Sequence, residues 1–167
     1  MLEKRYRGKD GNTSNRRDRL IIIDSSLLMY AIKGKKRMPI NIELALKEVS
    51  EGARLVVLDT TIEELEILRN RKKGKIKIAA DFALELIRRM QIEIITVDKA
   101  IIEELARIKN RLKFYEYYDE IIARMAGKIN AAVATIDMEL VKKLRRRNIT
   151  CYYLRGRKWI RVSGYQY

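Results

Sequence analysis

The sequence predicts an α/β protein of three layers, α/β/α, in which a central and mainly parallel sheet lies between helices. Short apolar runs rich in β-branched residues alternate along the chain with longer segments of helical periodicity. Within these runs apolar and polar residues do not alternate, which is typical of parallel strands buried on both faces. The 167 residues are enough for one domain with its own hydrophobic core.

Each strand is predicted from such an apolar run. The first covers 20–24, where LIII leads into Asp24. The others are predicted at 54–58, 92–97, 131–134 and 150–154, with a last edge strand at 158–162. Because helical segments separate the first five strands, these strands should run parallel to one another.

The helices are predicted from capping residues and from apolar residues spaced along one face. The segment 41–52 begins at Asn41 and stops at Gly52, residues that are favoured at helix ends. Apolar stripes predict further helices over 76–90 and 137–147. One more stripe is formed by Ile101, Leu105, Ile108 and Leu112.

The composition excludes several classes of function. The chain has no histidine, so a Ser-His-Asp triad, a histidine general base and a histidine-ligated zinc site are excluded. The single Cys151 excludes an internal disulfide and a cysteine-based zinc site. No apolar run approaches the roughly 20 residues of a membrane span, so we expect a soluble, cytoplasmic protein with no membrane partner. Residues 1–18 lack periodicity and are predicted to form a flexible basic tail, which leaves 19–167 as the folded domain.

Basic residues outnumber acidic ones by 37 to 22, and the net charge of +15 predicts a polyanionic partner such as nucleic acid. The segment 69–77 contains six bases and no acid, and the segment 142–167 contains nine bases, no acid and interspersed aromatic residues. A thermophile protein rich in surface ion pairs is the alternative, but its charges would be better balanced. The candidate contacts to nucleic acid are Arg71, Lys72, Lys73, Lys75, Arg155, Arg157 and Trp159. Trp159 would stack on a base, and packing within the edge strand is its alternative role.

Acidic residues follow the predicted strands. The first four strands are followed in turn by Asp24, Asp59, Asp98 and Asp137, at the sheet edge where α/β proteins place their sites. Aspartate is also a preferred helix cap, so a capping role competes with catalysis at each position. Carboxylates brought together repel one another unless a cation intervenes, and their oxygens suit Mg²⁺ or Mn²⁺. In a basic chain without histidine, such a cluster indicates metal-assisted hydrolysis of a phosphodiester.

Four segments within residues 20–155 resemble the motifs of PIN-domain ribonucleases. In chain order they are IIIDSSLL, IEELEIL, DEIIARMA and VATIDMEL. The resemblance implies a PIN-like fold and an endoribonuclease that depends on Mg²⁺ or Mn²⁺ and acts on RNA. It assigns catalysis and metal binding to Asp24, Glu64, Asp119 and Asp137, with Ser26 and Thr135 in support.

The resemblance has further implications. It makes Asp59 and Asp98 helix caps rather than ligands, while Glu63 and Glu66 are alternatives to Glu64 for the second acid. The closing segment YYLRGRKWIRVSG is similar to the end of the small-subunit rRNA-processing PIN proteins of archaea and eukaryotes. That similarity implies pre-rRNA as the substrate.

Other functions compete with this interpretation. A VapC-type toxin is a second enzyme of the same kind, usually shorter and paired with an antitoxin. A non-catalytic RNA-binding PIN scaffold is disfavoured, because a protein selected for binding alone would lose the mutual repulsion of the four acids. A receiver-like phosphoacceptor shares the architecture but requires paired acids after the first strand, where Ser25 follows Asp24 here. The sequence leaves open whether the chain forms a homodimer.

Overall fold

The computed structural model describes residues 19–33 and 41–163, and the predicted tail at 1–18 lies outside them. Within this part of the chain there are six strands, seven α-helices and one 3₁₀ turn at Lys109–Arg111. The strands are β1 Leu20–Ile23, β2 Arg54–Leu58, β3 Glu93–Ile95, β4 Ala132–Thr135, β5 Cys151–Arg155 and β6 Lys158–Val162. The helices are α1 Ser25–Lys33, α2 Ile42–Val49, α3 Asp59–Arg71, α4 Lys75–Arg89, α5 Lys99–Ala106, α6 Phe114–Ile129 and α7 Met138–Arg146.

All six strands form one sheet in the order β3-β2-β1-β4-β5-β6. Every neighbouring pair is parallel except β5 and β6, which form an antiparallel hairpin at one edge. The predicted mainly parallel sheet is therefore confirmed. The chain moves outward from β1 through β2 to β3, and then returns to place β4 on the other side of β1. Between β1 and β4 the strand order reverses, which is where open α/β sheets bind their ligands.

The central strand β1 shows why there are three layers. Ile21 and Ile23 point into an apolar cluster that contains residues of α1, α2 and α4. Ile22 points to the other face, into a cluster built mainly from α5, α6 and α7. All three side chains are buried, as expected for a strand covered on both sides. The predicted α/β/α architecture is confirmed.

Most element boundaries agree with the predictions to within two residues, and the differences have structural reasons. The strand predicted at 92–97 is shortened to β3, because it is an edge strand with β2 as its partner in the sheet. The stripe from Ile101 to Leu112 does not form one helix, since α5 ends at Ala106 and a 3₁₀ turn follows. Such turns are frequent at helix ends.

Helix α2 has the predicted N-cap, but its C-terminal end lies earlier in the chain than predicted. The Asn41 side chain accepts a hydrogen bond from the Leu44 N–H at 3.0 Å, as its position in the sequence predicts. The helix ends at Val49 with Ser50 as its C-cap. Gly52, predicted to end it, instead lies in the following turn with φ of 78°. Across residues 19–33 and 41–163, every helix is too short or too polar to cross a bilayer.

Candidate functional site

Asp24 lies at the point where β1 passes into α1, between the carboxyl ends of β1 and β4. Its backbone N–H donates to the Ala134 carbonyl at 3.0 Å and so continues the pairing of the two strands. Its own carbonyl accepts the first N–H groups of α1, from Leu27 at 3.2 Å and Leu28 at 3.4 Å. The apolar strand and the Ser-Ser helix start thus fix the backbone on both sides. The side chain is only 3% exposed.

Two hydroxyl groups hold the Asp24 carboxylate in place. Its Oδ2 accepts hydrogen bonds from Ser26 Oγ at 2.5 Å and from Thr135 Oγ1 at 2.8 Å. Thr135 is fully buried and also accepts the backbone N–H of Asp137 at 3.0 Å. The structure therefore brings both predicted supporting residues into contact with Asp24. Thr135 in addition links Asp24 to the turn that carries Asp137.

Asp137 is the N-cap of α7 as well as a member of this group. Its Oδ1 accepts the N–H groups of Glu139 at 2.9 Å and Leu140 at 3.5 Å. The carboxylate is half-buried rather than exposed. Capping and membership of the acidic site are thus compatible at this position, although the sequence presents them as alternatives.

Asp119 completes an acidic cluster that consists of Asp24, Asp119 and Asp137. Burial raises the pKa of Asp119 to about 8, and the charges of Asp24 and Asp137 add to the rise. Burial likewise raises the pKa of Asp24, where the hydrogen bonds from Ser26 and Thr135 oppose the rise and the charge of Asp137 increases it. The three carboxylates come from β1, α6 and the start of α7, and each acts electrostatically on another.

Glu64 lies beside this cluster and is joined to it through Ser25. The Ser25 hydroxyl donates to Glu64 Oε1 at 3.0 Å, and the Glu64 side chain is only 6% exposed. Glu63 and Glu66 of α3 are exposed. Glu63 instead accepts a hydrogen bond from the Tyr118 hydroxyl at 3.0 Å. Of the three glutamates, the structure therefore points only Glu64 into the interior next to Asp24.

The donor set fits a hard divalent cation. All four predicted ligands offer carboxylate oxygens, which Mg²⁺ and Mn²⁺ prefer. Within the described ranges, no three acidic or cysteine side chains form a ready-made metal site. Mg²⁺ keeps several of its waters and needs only one or two carboxylates, so a complete protein cage is not required. Burial is the main cause of the raised pKa values of Asp24 and Asp119, and the neighbouring negative charges add to both. A bound cation would favour the ionised form of each carboxylate.

The two other strand-end aspartates differ from each other. Asp98 caps α5, since its Oδ1 accepts the Ala100 N–H at 2.9 Å, and it also pairs with Lys128. The capping prediction is confirmed there. For Asp59 it is wrong, because Asp59 is the first residue inside α3 and Leu58 occupies the cap position. The Asp59 carboxylate accepts the Val97 N–H at 3.1 Å and so ties down the segment after β3.

The basic residues predicted to contact nucleic acid fall into two exposed groups. Arg71 ends α3, and Lys72, Lys73 and Lys75 surround the turn into α4. This turn lies one helix length, about 18 Å, from the start of α3 at the site edge of the sheet. Arg155 and Arg157 are exposed in the β5–β6 hairpin turn, which follows the carboxyl end of β5.

Trp159 corrects a sequence prediction. Its ring is only 4% exposed, and its Nε1 donates to the Ala45 carbonyl at 3.0 Å. A buried ring with its polar atom already bonded does not offer a face to a nucleotide base. The burial therefore contradicts the prediction of base stacking, and Trp159 packs β6 against α2.

Lys143 is a neighbour of the site that the sequence did not reveal. It lies on α7, the helix predicted over 137–147. Its Nζ is 3.4 Å from Glu120 Oε1, and its charge opposes the rise in the pKa of Asp119. Arg147 and Arg124 also bind Glu120. The only available signal was the adjacent pair Asp119 and Glu120, and it does not show which helix lies opposite.

Comparison with known proteins gives consistent matches. A family model described as a PIN like domain matches residues 21–157. A protein named Ribonuclease VapC4, from Methanocaldococcus jannaschii, is 34% identical over 150 residues, which cover 86% of this chain and 96% of that protein. A solved structure titled as a domain of a functionally unknown protein from the same organism superposes with a TM-score of 0.55 at 15% identity. It covers 84% of this chain and 94% of its own, and shows similarity of fold alone.

Proposed function

Because the chain belongs to the family of PIN-like domains, we propose that it is an endoribonuclease that depends on Mg²⁺ or Mn²⁺. The observation that carries this proposal is the meeting of Asp24, Asp119 and Asp137 where the strand order reverses. The resemblance of the motifs and the name of the M. jannaschii relative support the choice of RNA as substrate. The nuclease domain is taken as residues 19–167.

Each residue has a distinct part in the proposed reaction. The carboxylates that would hold the cation are Asp24, Glu64, Asp119 and Asp137. A bound divalent cation supplies Lewis acidity, which stabilises negative charge on a phosphodiester. Ser26 and Thr135 keep one Asp24 oxygen in a fixed direction, so that the carboxylate does not have to reorganise. Near neutral pH and without a cation, Asp119 retains a proton for much of the time.

Within this family we favour a VapC-type nuclease over pre-rRNA processing. The relative named Ribonuclease VapC4 matches along 96% of its length. The similarity of the closing segment to rRNA-processing proteins rests on far fewer residues, and one of them, Trp159, is buried. A growth arrest on expression, relieved by a co-expressed antitoxin from the same operon, would support the toxin assignment.

The test of the enzymatic proposal is an RNA cleavage assay on the full chain. Single-stranded and structured RNA are incubated with Mg²⁺, with Mn²⁺ or with a chelator. We expect cleavage only with metal, and its loss in Asp24→Asn and in Asp137→Asn while circular dichroism is unchanged. Asp59→Asn is the matched control, because it removes an acid at the same edge of the sheet. The asparagine amide oxygen can still accept the hydrogen bond from the Val97 N–H.

The outcomes separate two kinds of error. Cleavage that persists in both Asp24→Asn and Asp137→Asn would show that the site lies elsewhere. An intact wild-type protein that cuts neither RNA with either metal would overturn the proposed function itself.

A further inference from the structure

We propose that Tyr115 and Phe114 form a stacking site for an unpaired RNA base, so that the substrate is single-stranded beside the acidic cluster. This inference rests on the proposed ribonuclease function and deepens it. It concerns a surface at the start of α6 that lies outside both basic segments identified from the sequence.

The position of Tyr115 follows from the helix geometry. Helix α6 leads through a short turn into β4, so its first turn lies at the carboxyl-terminal edge of the sheet, where the acidic cluster is found. Tyr115 precedes Asp119 by four residues, which places both on the same side of the helix one turn apart. A base stacked on Tyr115 would therefore lie next to Asp119.

Among the aromatic side chains of residues 19–33 and 41–163 that the structure describes, Phe114 and Tyr115 are the exposed ones. Tyr115 is 53% exposed and Phe114 is 40% exposed, whereas Tyr117 and Tyr118 of the same helix are buried. Phe114 packs edge-to-face on Tyr118, with ring centroids 5.1 Å apart. Tyr118 in turn is fixed by its hydrogen bond to Glu63. The Phe114 ring thus packs on Tyr118 on one side, while the rest of it is exposed to solvent.

The charge around these rings complements a nucleic acid backbone. Arg107, Lys109, Arg111 and Lys113 precede them without any intervening acid, and all four side chains are exposed. Within the described part of the chain, none of the four is paired with a carboxylate, in contrast to Lys143 of α7 and Arg147 at its C-terminal cap. Lys109 Nζ lies 4.5 Å from the Tyr117 ring centroid and Lys113 Nζ lies 6.0 Å from that of Tyr115.

The acidic cluster gives such a surface a clear use for an anionic substrate. Without a bound cation the carboxylates repel an approaching phosphate, and unpaired basic side chains close by help to hold the strand. Aromatic rings among cations are the usual means of binding single strands, because every base offers a face for stacking and phosphates follow the positive charge. A duplex, whose bases are already stacked, could not use the rings in this way. The observations therefore favour unpaired RNA as the occupant.

The experiment compares binding of two strands that carry the same phosphates. One is a short single-stranded RNA, and the other is an abasic ribose-phosphate strand of equal length. Affinities are measured by fluorescence anisotropy on the full chain, in chelator so that no cleavage occurs. We expect the wild type to bind the base-bearing strand about 5- to 150-fold more tightly, the range typical of one base stacked on an aromatic ring.

The variants assign that preference to the proposed site. Tyr115→Ala should bring the ratio of the two affinities close to one, and Tyr115→Phe should keep it. Ile94→Ala is the control for a side chain of equal exposure on β3. Because Tyr115 is 53% exposed, its replacement by alanine should leave the fold intact, and circular dichroism of each variant checks this.

Failure of this inference differs from failure of the proposed function. A wild type that binds both strands equally well, or a ratio that is unchanged in Tyr115→Ala, would overturn the stacking site while RNA binding stands. A wild type that binds neither strand would overturn the proposed function and the stacking site together.

Discussion

At the residue scale, one aspartate serves both local structure and the acidic cluster. Asp137 caps α7 with Oδ1, and its charge raises the pKa of both Asp24 and Asp119. Asparagine is as good a cap as aspartate, whereas alanine at such a position costs about 1 kcal/mol. Asp137→Asn therefore removes the charge and keeps the helix start, which makes it the substitution that tests catalysis without testing folding.

Asp119→Asn should raise the stability of the metal-free protein near pH 8. The pKa of Asp119 is about 8 in the folded state and near 4 in the unfolded chain. The folded state thus binds this proton more tightly than the unfolded chain does. Ionisation of Asp119 therefore lowers the free energy of unfolding, and this loss grows as pH rises from about 4 to 8 and no longer increases above 8. We expect a gain of about 2 kcal/mol, or roughly 4–8 °C in Tm, which vanishes near pH 4. Thermal melts in chelator across this pH range measure it.

The adjacent Glu120 provides a control, because its substitution should change Tm in the opposite direction. Burial alone would raise its pKa, but Arg147 and Lys143 hold it below its usual value. Glu120→Gln should therefore lower Tm at neutral pH, and its effect should disappear as pH falls below the normal pKa of glutamate. An Asp119→Asn protein that melts lower than wild type at pH 8 would contradict the repulsion inferred for the acidic cluster.

Some of these roles could be predicted from the residues and others could not. The position of Asp24 after a buried strand, and of Asp137 after another, indicated the site. The hydrogen bond from Thr135 to Asp24 joins residues 111 positions apart and has no local signature. The same is true of Trp159, whose partner carbonyl at Ala45 is 114 positions away. Local composition correctly placed Trp159 in a strand but could not show that α2 covers it.

At the element scale, helix α7 and the α3–α4 turn use their basic residues differently. The bases of α7 are partly neutralised, since Lys142 pairs with Glu139 and Lys143 and Arg147 pair with Glu120. For Lys72, Lys73 and Lys75, the described residues offer no such partner. The turn is therefore the better candidate for contacts with phosphates.

Replacing Lys72, Lys73 and Lys75 together by glutamine should flatten the salt dependence of RNA binding. Each phosphate contact on a single strand contributes about −0.7 to the slope of log K against log salt, so the loss of three contacts changes it by about 2. Binding isotherms between low and moderate salt give the slope directly. The position of cleavage should not move, because the turn is remote from the acidic cluster.

A matched triple variant controls for net charge. Lys47, Lys99 and Lys142 each pair with a glutamate three or four residues away on their own helix. Their replacement by glutamine removes the same three charges from positions that are already compensated. Equal slopes in the two triple variants would mean that only total charge matters and that the α3–α4 turn has no special role.

The limits of prediction at this scale have a physical origin. Interior strands such as β2 were predicted with correct ends, because burial on both faces imposes a continuous apolar run. The edge strand β3 was predicted too long, since its apolar residues continue beyond the part that pairs with β2. Val97 is buried without being in the sheet, and its N–H bonds to Asp59. The apolar residues of this segment therefore indicate that it is buried, but not that it forms hydrogen bonds within the sheet.

At the scale of the whole molecule, the fold supplies a site that a cation should stabilise. Binding to the folded state alone adds about 2.7 kcal/mol at 100 times the dissociation constant. We expect the wild type to melt roughly 5–10 °C higher with Mn²⁺ at that excess than with chelator. Asp119→Asn should gain less, and Asp98→Asn, which alters a capping carboxylate, should gain as much as the wild type. A wild type that does not respond to Mn²⁺ would refute the metal site.

The sequence predicted the architecture but not the arrangement of the strands within it. Alternation of strands and helices gives a parallel sheet, and four carboxylates follow its strands. Which of them meet depends on the order β3-β2-β1-β4-β5-β6, and that order places β4 next to β1. Asp137 is thereby brought close to Asp24, while Asp98 is removed to the far side of β2. The family motifs indicated the same selection, but composition and periodicity could not.

The hydrogen bond between Thr135 and Asp24 also has a consequence for biosynthesis. Strand β1 leaves the ribosome first, but one of its two neighbours in the sheet, β4, follows more than a hundred residues later. At about 5–20 residues per second, the 111 positions between these residues take roughly 5–20 s to translate. During that interval a nascent chain contains Asp24 but not Thr135, the β4 residue whose hydroxyl holds the Asp24 carboxylate. The proposed active site can therefore form only after β4 has been synthesised, and we expect the nascent chain to be inactive until then.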